Sequence, residues 1–252
     1  MKAWWKVLFW CSGLWILFMF MEAKRNYIKE EYLYIYDLPT PFDEKGIFFI
    51  SDIHFRRVSR RLVHKAKSKA DIVIIGGDLL EKNVPINRVR TNIRRLQEIG
   101  PVIFVWGNND IEEQEQLGRL LEEEGVICLE NDIYQWGIGR HKLQIAGLMD
   151  RYQKLAEWRL YEKTQQPIPV LVVHDPEVIS KLNDPTTFDT ALTGHTHGGQ
   201  IRFGRFGIRE RGGWKQRRGI NVLISNGYGT TSLPLRFGAP AETHLLTLKS
   251  KV

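Results

Sequence analysis

Past Lys45 the chain is punctuated by short, unbroken apolar runs that end in polar residues: "GIFFISDIH", "DIVIIGGDLL", "PVIFVWGNND", "PVLVVHDP" and "DTALTGHTH". Uninterrupted runs of this length suit strands covered on both faces. Segments of helical period fall between the first three. In 60–70, Leu62, Val63, Ala66 and Ala70 share a face; in 86–98, Ile86, Val89, Ile93 and Leu96 do so opposite arginines and polar groups. A third helix is predicted over roughly 112–124, acidic outside and carrying Leu117, Leu120 and Leu121. Alternating strand and helix predicts a largely parallel sheet. After Gly125 the pattern turns strand-rich, with "VICLE", "KLQIAG", "NVLISNG" and "THLLTL", which predicts two packed sheets with helices outside. Before all of these, the period-two stretch "YLYIYDLP" predicts an outer strand closed by Pro39 and Pro41.

The N-terminus follows a different pattern. Residues 7–21, "VLFWCSGLWILFMFM", carry no charge, and counted from Ala3 the apolar run, broken by Lys6 alone, is 19 residues long. That length spans a hydrocarbon core of roughly 30 Å. Trp4, Trp5 and Trp10 suit the interfacial region, and no small-x-small site for a signal peptidase precedes the charges that resume at Glu22. A retained membrane anchor is therefore expected. Lys2 and Lys6 on one side balance Lys24 and Arg25 on the other, so charge sets no orientation.

Composition narrows the rest. A chain of 252 residues, 43% hydrophobic and 26% charged, builds one α/β domain with a real core more readily than two small ones. A formal charge of +7 favours anionic partners: phosphorylated substrates, anionic lipid or nucleic acid. Two cysteines, Cys11 and Cys128, make neither a disulfide framework nor a thiolate zinc site, so any metal must be held by nitrogen and oxygen. The pattern fixes no oligomeric state.

All five buried runs end in such donors: Asp52 and His54, then Asp78, Asn108, His174, and finally His195 and His197. Each alone has a commonplace reading, Gly77-Asp78 as a helix cap, Gly107-Asn108 as a turn, His174 as the start of a loop. Recurrence at five strand ends, where α/β sheets gather ligands, points instead to one site. Seven such donors suffice for two divalent cations sharing a carboxylate, Mn, Fe or Zn rather than a structural zinc. His64, His141 and His244 read as surface or packing residues.

The ordered set "SDIH", "GGDLL", "GNND", "VVHDP" and "GHTHGGQ" resembles the calcineurin-like metallophosphoesterase family, and "SNGYGTTSLPLRFGAPAETHLLTL" resembles the C-terminal signature of its membrane-associated bacterial branch, similar to UDP-diacylglucosamine pyrophosphohydrolases. The resemblance covers roughly residues 31–250. It implies an α/β fold, a four-layer αββα sandwich, behind an N-terminal transmembrane helix. The expected organisation is an anchor at 1–25, a juxtamembrane segment with an outer strand at 26–45 and a catalytic domain at 46–252. It implies that Asp52, His54 and His197 bind one metal, that Asn108, His174 and His195 bind the other, and that Asp78 bridges them. Two such cations would acidify a shared water and bind a phosphate oxygen, so the expected reaction is hydrolysis of a phosphodiester or diphosphate bond.

One motif departs from the family pattern. Its third motif is normally Gly-Asn-His-Asp, whose His is taken to protonate the leaving group; here Asn109 stands in that place, with Asp110 after it as a residue that could orient it. An amide donates a hydrogen bond but delivers no proton, which removes help worth about 10²–10⁴-fold unless the leaving group is already acidic or the proton comes from elsewhere. A metal-retaining scaffold without turnover is the rival class. The stretch 202–219, "RFGRFGIRERGGWKQRRG", reads as a glycine-rich flap beside the site. Its aromatics suit an interface, and its arginines, Arg202 and Arg205 among them, suit phosphate. A nuclease of the same fold would use these residues equally well, but an anchor disfavours nucleic acid and favours a lipid-linked phosphorylated substrate at the cell membrane.

Overall fold

The computed structural model describes residues 2–149, 160 and 167–251. Two six-stranded sheets lie face to face. The first contains β1 (Tyr27–Tyr36), β2 (Gly46–Ile50), β3 (Ile72–Gly76), β4 (Val102–Val105), β5 (Ile127–Leu129) and β14 (Glu242–Lys251), in the order β1-β14-β2-β3-β4-β5. The second contains β6 (Asp132–Ile138), β7 (His141–Leu148), β8 (Ile168–Val173), β9 (Phe188–Thr193), β12 (Gly213–Arg217) and β13 (Ile220–Ile224), in the order β12-β13-β9-β8-β7-β6. A small hairpin, β10 (Arg202–Phe203) with β11 (Phe206–Gly207), stands apart.

The predicted parallel character holds where helices alternate with strands. β2, β3, β4 and β5 run parallel, as do β7, β8, β9 and β13, while β14 is antiparallel to β2. β2 and β3 are buried at every position, which is why their sequences show no alternation. Phe49, Ile74, Leu192 and Leu223 belong to the core between the sheets. The outer face of the first sheet is covered by α2 (Arg60–Lys67), α3 (Ile86–Gln97) and α5 (Gln114–Glu123), through Leu62, Ile93 and Leu121. On the outer face of the second sheet, α6 (Val178–Lys181) and Leu160 supply the described cover. Helix, sheet, sheet, helix is the expected layering.

Three local features differ from the sequence expectation. The third helix is two, α4 (Asn108–Glu112) and α5, because Glu113 leaves helical geometry at φ −114° and ψ 24°. β6 is unpredicted because its burial is mixed along the strand rather than alternating. Part of the predicted flap is the edge strand β12, paired antiparallel to β13 from Gly213 to Arg217.

The N-terminal α1 (Lys2–Ala23) contains a 20-residue stretch, Trp4–Ala23, with mean hydropathy 1.5, long and apolar enough to cross a membrane. It leads directly into β1, whose Tyr27 pairs with Glu242. The junction is clamped by Arg56, whose guanidinium donates to the carbonyls of Lys24 at 2.6 Å and Arg25 at 2.7 Å and stacks 3.7 Å from the Tyr228 ring centre.

Candidate metal centre

The carboxyl ends of β2, β3, β4, β8 and β9 deliver all seven sequence-predicted donors to one end of the sandwich. His54 Nε2 and His197 Nε2 face each other at 3.1 Å, and Asp52 Oδ1 lies 3.3 Å from His197 Nε2. Asp78 Oδ2 is 3.2 Å from His174 Nε2 and 3.8 Å from His54 Nε2, between the two histidines. His174 Nε2 is also 3.9 Å from Asp52 Oδ1. Asp52, His54 and His197 thus form one buried donor triad and Asp52, Asp78 and His174 a second, with ligand atoms in each within 4.8 Å of one another. Asn108 Oδ1 and His195 Nδ1 face each other at 2.9 Å, and the His195 ring stands edge-on to His174 with centroids 5.2 Å apart, extending the second triad toward solvent.

This convergence is bought with backbone strain. Asp52, His54, Asp78, His195 and His197 all have φ between 50° and 66°, five of the twelve non-glycine residues with positive φ among those described. Such conformations persist where the surroundings over-determine them and concentrate at functional sites. Neighbouring glycines leave the necessary room. A Cβ on Gly77, itself at φ 81°, would come within 2.5 Å of His174 Nδ1, and one on Gly227 within 2.7 Å of Asp52 Cβ.

The donor chemistry fits divalent cations. Imidazole nitrogens and carboxylate oxygens point at one another, with Asp52 and His54 fully buried and Asp78 nearly so. Burial pushes the Asp78 carboxyl up, but His174 and His54, with the Asn109 N–H, outweigh it and hold it below the usual range. Asp52 behaves likewise: burial raises it, and His197 and His174 bring it down on balance. Burial, reinforced by the charge of Arg236, pushes His197 down to about 3 against the pull of Asp52. Ionised carboxylates beside a neutral imidazole are the protonation state that ligation requires.

Asn109 turns toward Asp78, its backbone N–H donating to Oδ1 at 2.9 Å and its side-chain amide to Oδ2 at 2.5 Å. Asp110 is buried and accepts from the backbone N–H groups of Asp78 (2.7 Å), Gly107 (2.9 Å) and Leu80 (3.1 Å), so it ties the β3 and β4 loops together and none of these bonds reaches Asn109's amide. Arg202 is also buried, and its guanidinium is occupied by the carbonyls of Gly198, Gly204, Arg205 and Arg209; it braces the flap and has no free face for phosphate. Arg205 is exposed, over the Phe206 ring at 5.1 Å. The arginine that meets the centre is Arg209, with Nη1 3.0 Å from His195 Nε2, on the wall of a cavity of about 430 Å³ with His195, Ile208 and Arg217.

Two supporting residues escape a reading by motif. Glu81 Oε2 lies 3.5 Å from His54 Nδ1. Arg236, the most voluminous fully buried side chain described, places Nη2 3.1 Å from His197 Nδ1 and donates to the carbonyls of Asn226, Ala239 and Gly229. Its only sequence signal is its position in "LPLRFGAPAE". His244 is packed as expected, fully buried with Nδ1 2.7 Å from Glu31 Oε2.

The family model for calcineurin-like phosphoesterases matches residues 46–199, the segment that holds all seven donors. The chain belongs to that family. It is 42% identical over 239 residues to the uncharacterised Bacillus subtilis protein YpbG, covering 91% of this chain and 90% of that one. Over 188 residues it is 24% identical to the Escherichia coli phosphodiesterase YaeI, covering 69% and 67%. Among solved structures, the sulfate thiohydrolase SoxB of Thermus thermophilus aligns with a TM-score of 0.52 at 13% identity, over 84% of this chain and 58% of that one, a likeness of fold. As a calcineurin-like phosphoesterase, the protein is an enzyme whose substrate is phosphorylated.

Proposed function

We propose that the protein is a membrane-anchored, dinuclear-metal phosphohydrolase that cleaves a phosphodiester or diphosphate bond in a lipid-linked substrate. The observation that carries this reading is the pair of buried donor triads meeting at Asp52, with Asp78 reaching toward both histidines. Asp52, His54 and His197 would hold one cation, His174, Asn108 and His195 the other, and Asp78 both. When bound, such cations acidify water and offset the negative charge of the phosphate. Mn, Fe and Zn all suit a donor set of nitrogen and oxygen without sulfur.

The chain's own residues do the rest. Arg209, on the wall of the cavity beside His195, orients a phosphate oxygen with a charge-assisted hydrogen bond. Asn109 holds the Asp78 carboxylate and delivers no proton, which favours a leaving group that departs as a stable anion, such as the phosphate half of a diphosphate. Residues 1–25 act as the anchor and confine the enzyme to the cell membrane and to substrates there; nucleic acid is disfavoured for the same reason.

The test uses the full-length chain in detergent. With added Mn²⁺ it should hydrolyse an activated bis-aryl phosphodiester, and Asp78→Ala should abolish that activity. A fully active Asp78→Ala variant would refute the assigned site.

A further inference from the structure

Helix α1 does not stand clear of the phosphoesterase domain. The Trp15 ring meets Phe237 with centroids 5.6 Å apart and Phe203 at 6.2 Å, Phe18 meets Phe237 at 6.3 Å, and Phe203 and Phe237 lie 5.0 Å apart. The Arg236 N–H donates to the Met19 carbonyl at 3.0 Å. Between helix and domain remains an apolar cavity of about 250 Å³, walled by Trp15, Ile16, Met19, Ile201, Phe203 and Phe237.

The contact has a depth. Trp15 precedes the last residue of α1, Ala23, by eight positions, about 12 Å of helix at 1.5 Å per residue. Half of a hydrocarbon core is about 15 Å. If α1 spans a bilayer, as the proposed anchor requires, Trp15 lies inside the hydrocarbon, and the domain rings packed on it enter with it. The surface around them is suited to this. Phe203 and Phe206, paired across the hairpin, are 56% and 69% exposed, Ile208 directly after it is 89% exposed, and Leu233, whose carbonyl accepts from Gln200 at 3.0 Å, is 59% exposed; a wholly aqueous surface does not favour so many exposed apolar side chains. Arg205 lies over the Phe206 ring, Arg211 follows on the same segment, and Lys24 and Arg25 follow α1, cations of the kind that meet anionic headgroups.

We infer that the β10–β11 hairpin and the adjoining Ile208 form a second membrane contact, a lip that inserts into an anionic bilayer beside α1. The metal centre then opens onto the headgroup layer, because the lip begins at Arg202, five residues after His197, and ends at Ile208, next to Arg209, whose guanidinium meets His195. This deepens the proposed function and rests on its anchor: a lipid's phosphate reaches Arg209 and the candidate ligands while its acyl chains remain in the bilayer.

The experiment uses the full-length chain in vesicles of phosphatidylcholine and phosphatidylglycerol. On a background of Cys11→Ala and Cys128→Ala, single cysteines are introduced by Phe206→Cys, Ile208→Cys or Lys142→Cys and labelled with an environment-sensitive fluorophore. Lys142 is exposed at the start of β7, the sheet end opposite the metal centre. Labels at 206 and 208 should be quenched by doxyl lipid and shielded from aqueous iodide, with the reverse at 142. In parallel, the unmodified chain is photolabelled with a diazirine phospholipid, and adducts are expected on both α1 and residues 201–208. Adducts confined to α1, or iodide quenching at 206 and 208 equal to that at 142, would overturn the lip. Hydrolysis of a soluble phosphodiester by the same preparation separates the two readings: a labelled lip without turnover removes the hydrolase and keeps the lip, and turnover with an unlabelled hairpin does the converse.

Discussion

Asn109 grips Asp78 with two hydrogen bonds, its backbone N–H to Oδ1 at 2.9 Å and its side-chain amide to Oδ2 at 2.5 Å. The residue that stands where relatives are expected to carry a proton-donating histidine is therefore occupied in positioning the carboxylate between His54 and His174. Removing the amide by Asn109→Ala should weaken metal binding by about 10-fold, the scale of lost support around a ligand. Equilibrium dialysis against Mn²⁺ measures it, and unchanged affinity would show that the amide supports nothing.

Replacement by histidine separates a missing acid from a missing site. Asn109→His supplies a proton donor, so hydrolysis of an alkyl ester, a poor leaving group, should rise relative to that of an aryl ester by up to about 10²-fold. Equal losses on both esters would mean that the amide's grip on Asp78 outweighs any acid at this position. No turnover by either form, with both metals bound, would favour a phosphate-binding scaffold.

Protonation of His197 gives the metal-free protein a signature in acid. Its folded-state value is pushed down to about 3, whereas an unfolded histidine titrates near 6.5, so between those values the unfolded chain binds a proton that the folded one refuses. From this group stability should be flat above about pH 6.5 and fall on acidification by up to about 1.4 kcal/mol per unit. Asp52 and Asp78, both held below their ordinary values, add losses of the same sign at lower pH. Asp110, pushed up to about 8 by burial and by Asp78, acts with the opposite sign: the folded chain keeps a proton there that the unfolded chain releases, so this group adds stability as pH falls through about 8. Urea unfolding in detergent and chelator checks this by difference: relative to the unchanged chain, His197→Asn should gain stability on acidification between pH 6.5 and about 5, and parallel pH profiles for the two would contradict it.

Arg236 should behave as a keystone. Its guanidinium joins the carbonyls of Asn226, Ala239 and Gly229 to His197 Nδ1 in a fully buried site, and a lysine has too few donors in the wrong plane to replace it. Arg236→Lys is expected to cost about 3 kcal/mol and to weaken Mn²⁺ binding as well as lower Tm. A fall in Tm with metal affinity intact would confine its role to packing.

Gly77 tests the close approach. An added Cβ would meet His174 at 2.5 Å from backbone already at φ 81°, so Gly77→Ala should destabilise the chain by about 1–3 kcal/mol. Gly137, on the exposed face of β6 with nothing within 4 Å, should tolerate alanine within about 0.5 kcal/mol. Equal Tm changes in the two variants would contradict the packing described at His174.

The strands and their ligands were legible for one physical reason. Strands buried on both faces leave unbroken apolar runs, and the polar residue that ends each run marks where it emerges, so Asp52, Asp78, Asn108, His174 and His195 announced themselves by position. What stayed hidden depends on distant partners. Arg202 and Arg209 are alike in sequence, yet one spends its donors on four carbonyls and the other reaches His195. Arg236 and Glu81 act on histidines 39 and 27 positions away, which no local pattern encodes. The edge strands β6 and β12 were missed for different reasons: the burial of β6 is mixed, while that of β12 alternates but its half-buried positions are Gly213, Lys215 and Arg217, so no apolar period marks it.

Two donor triads meet at Asp52. Metal content of the full-length chain, loaded with Mn²⁺, Fe²⁺ or Zn²⁺ and freed of excess by dialysis, measures this directly. Two equivalents per chain are expected for at least one of these metals, falling in Asp78→Asn. A chain that retains none of them under any loading condition would contradict it.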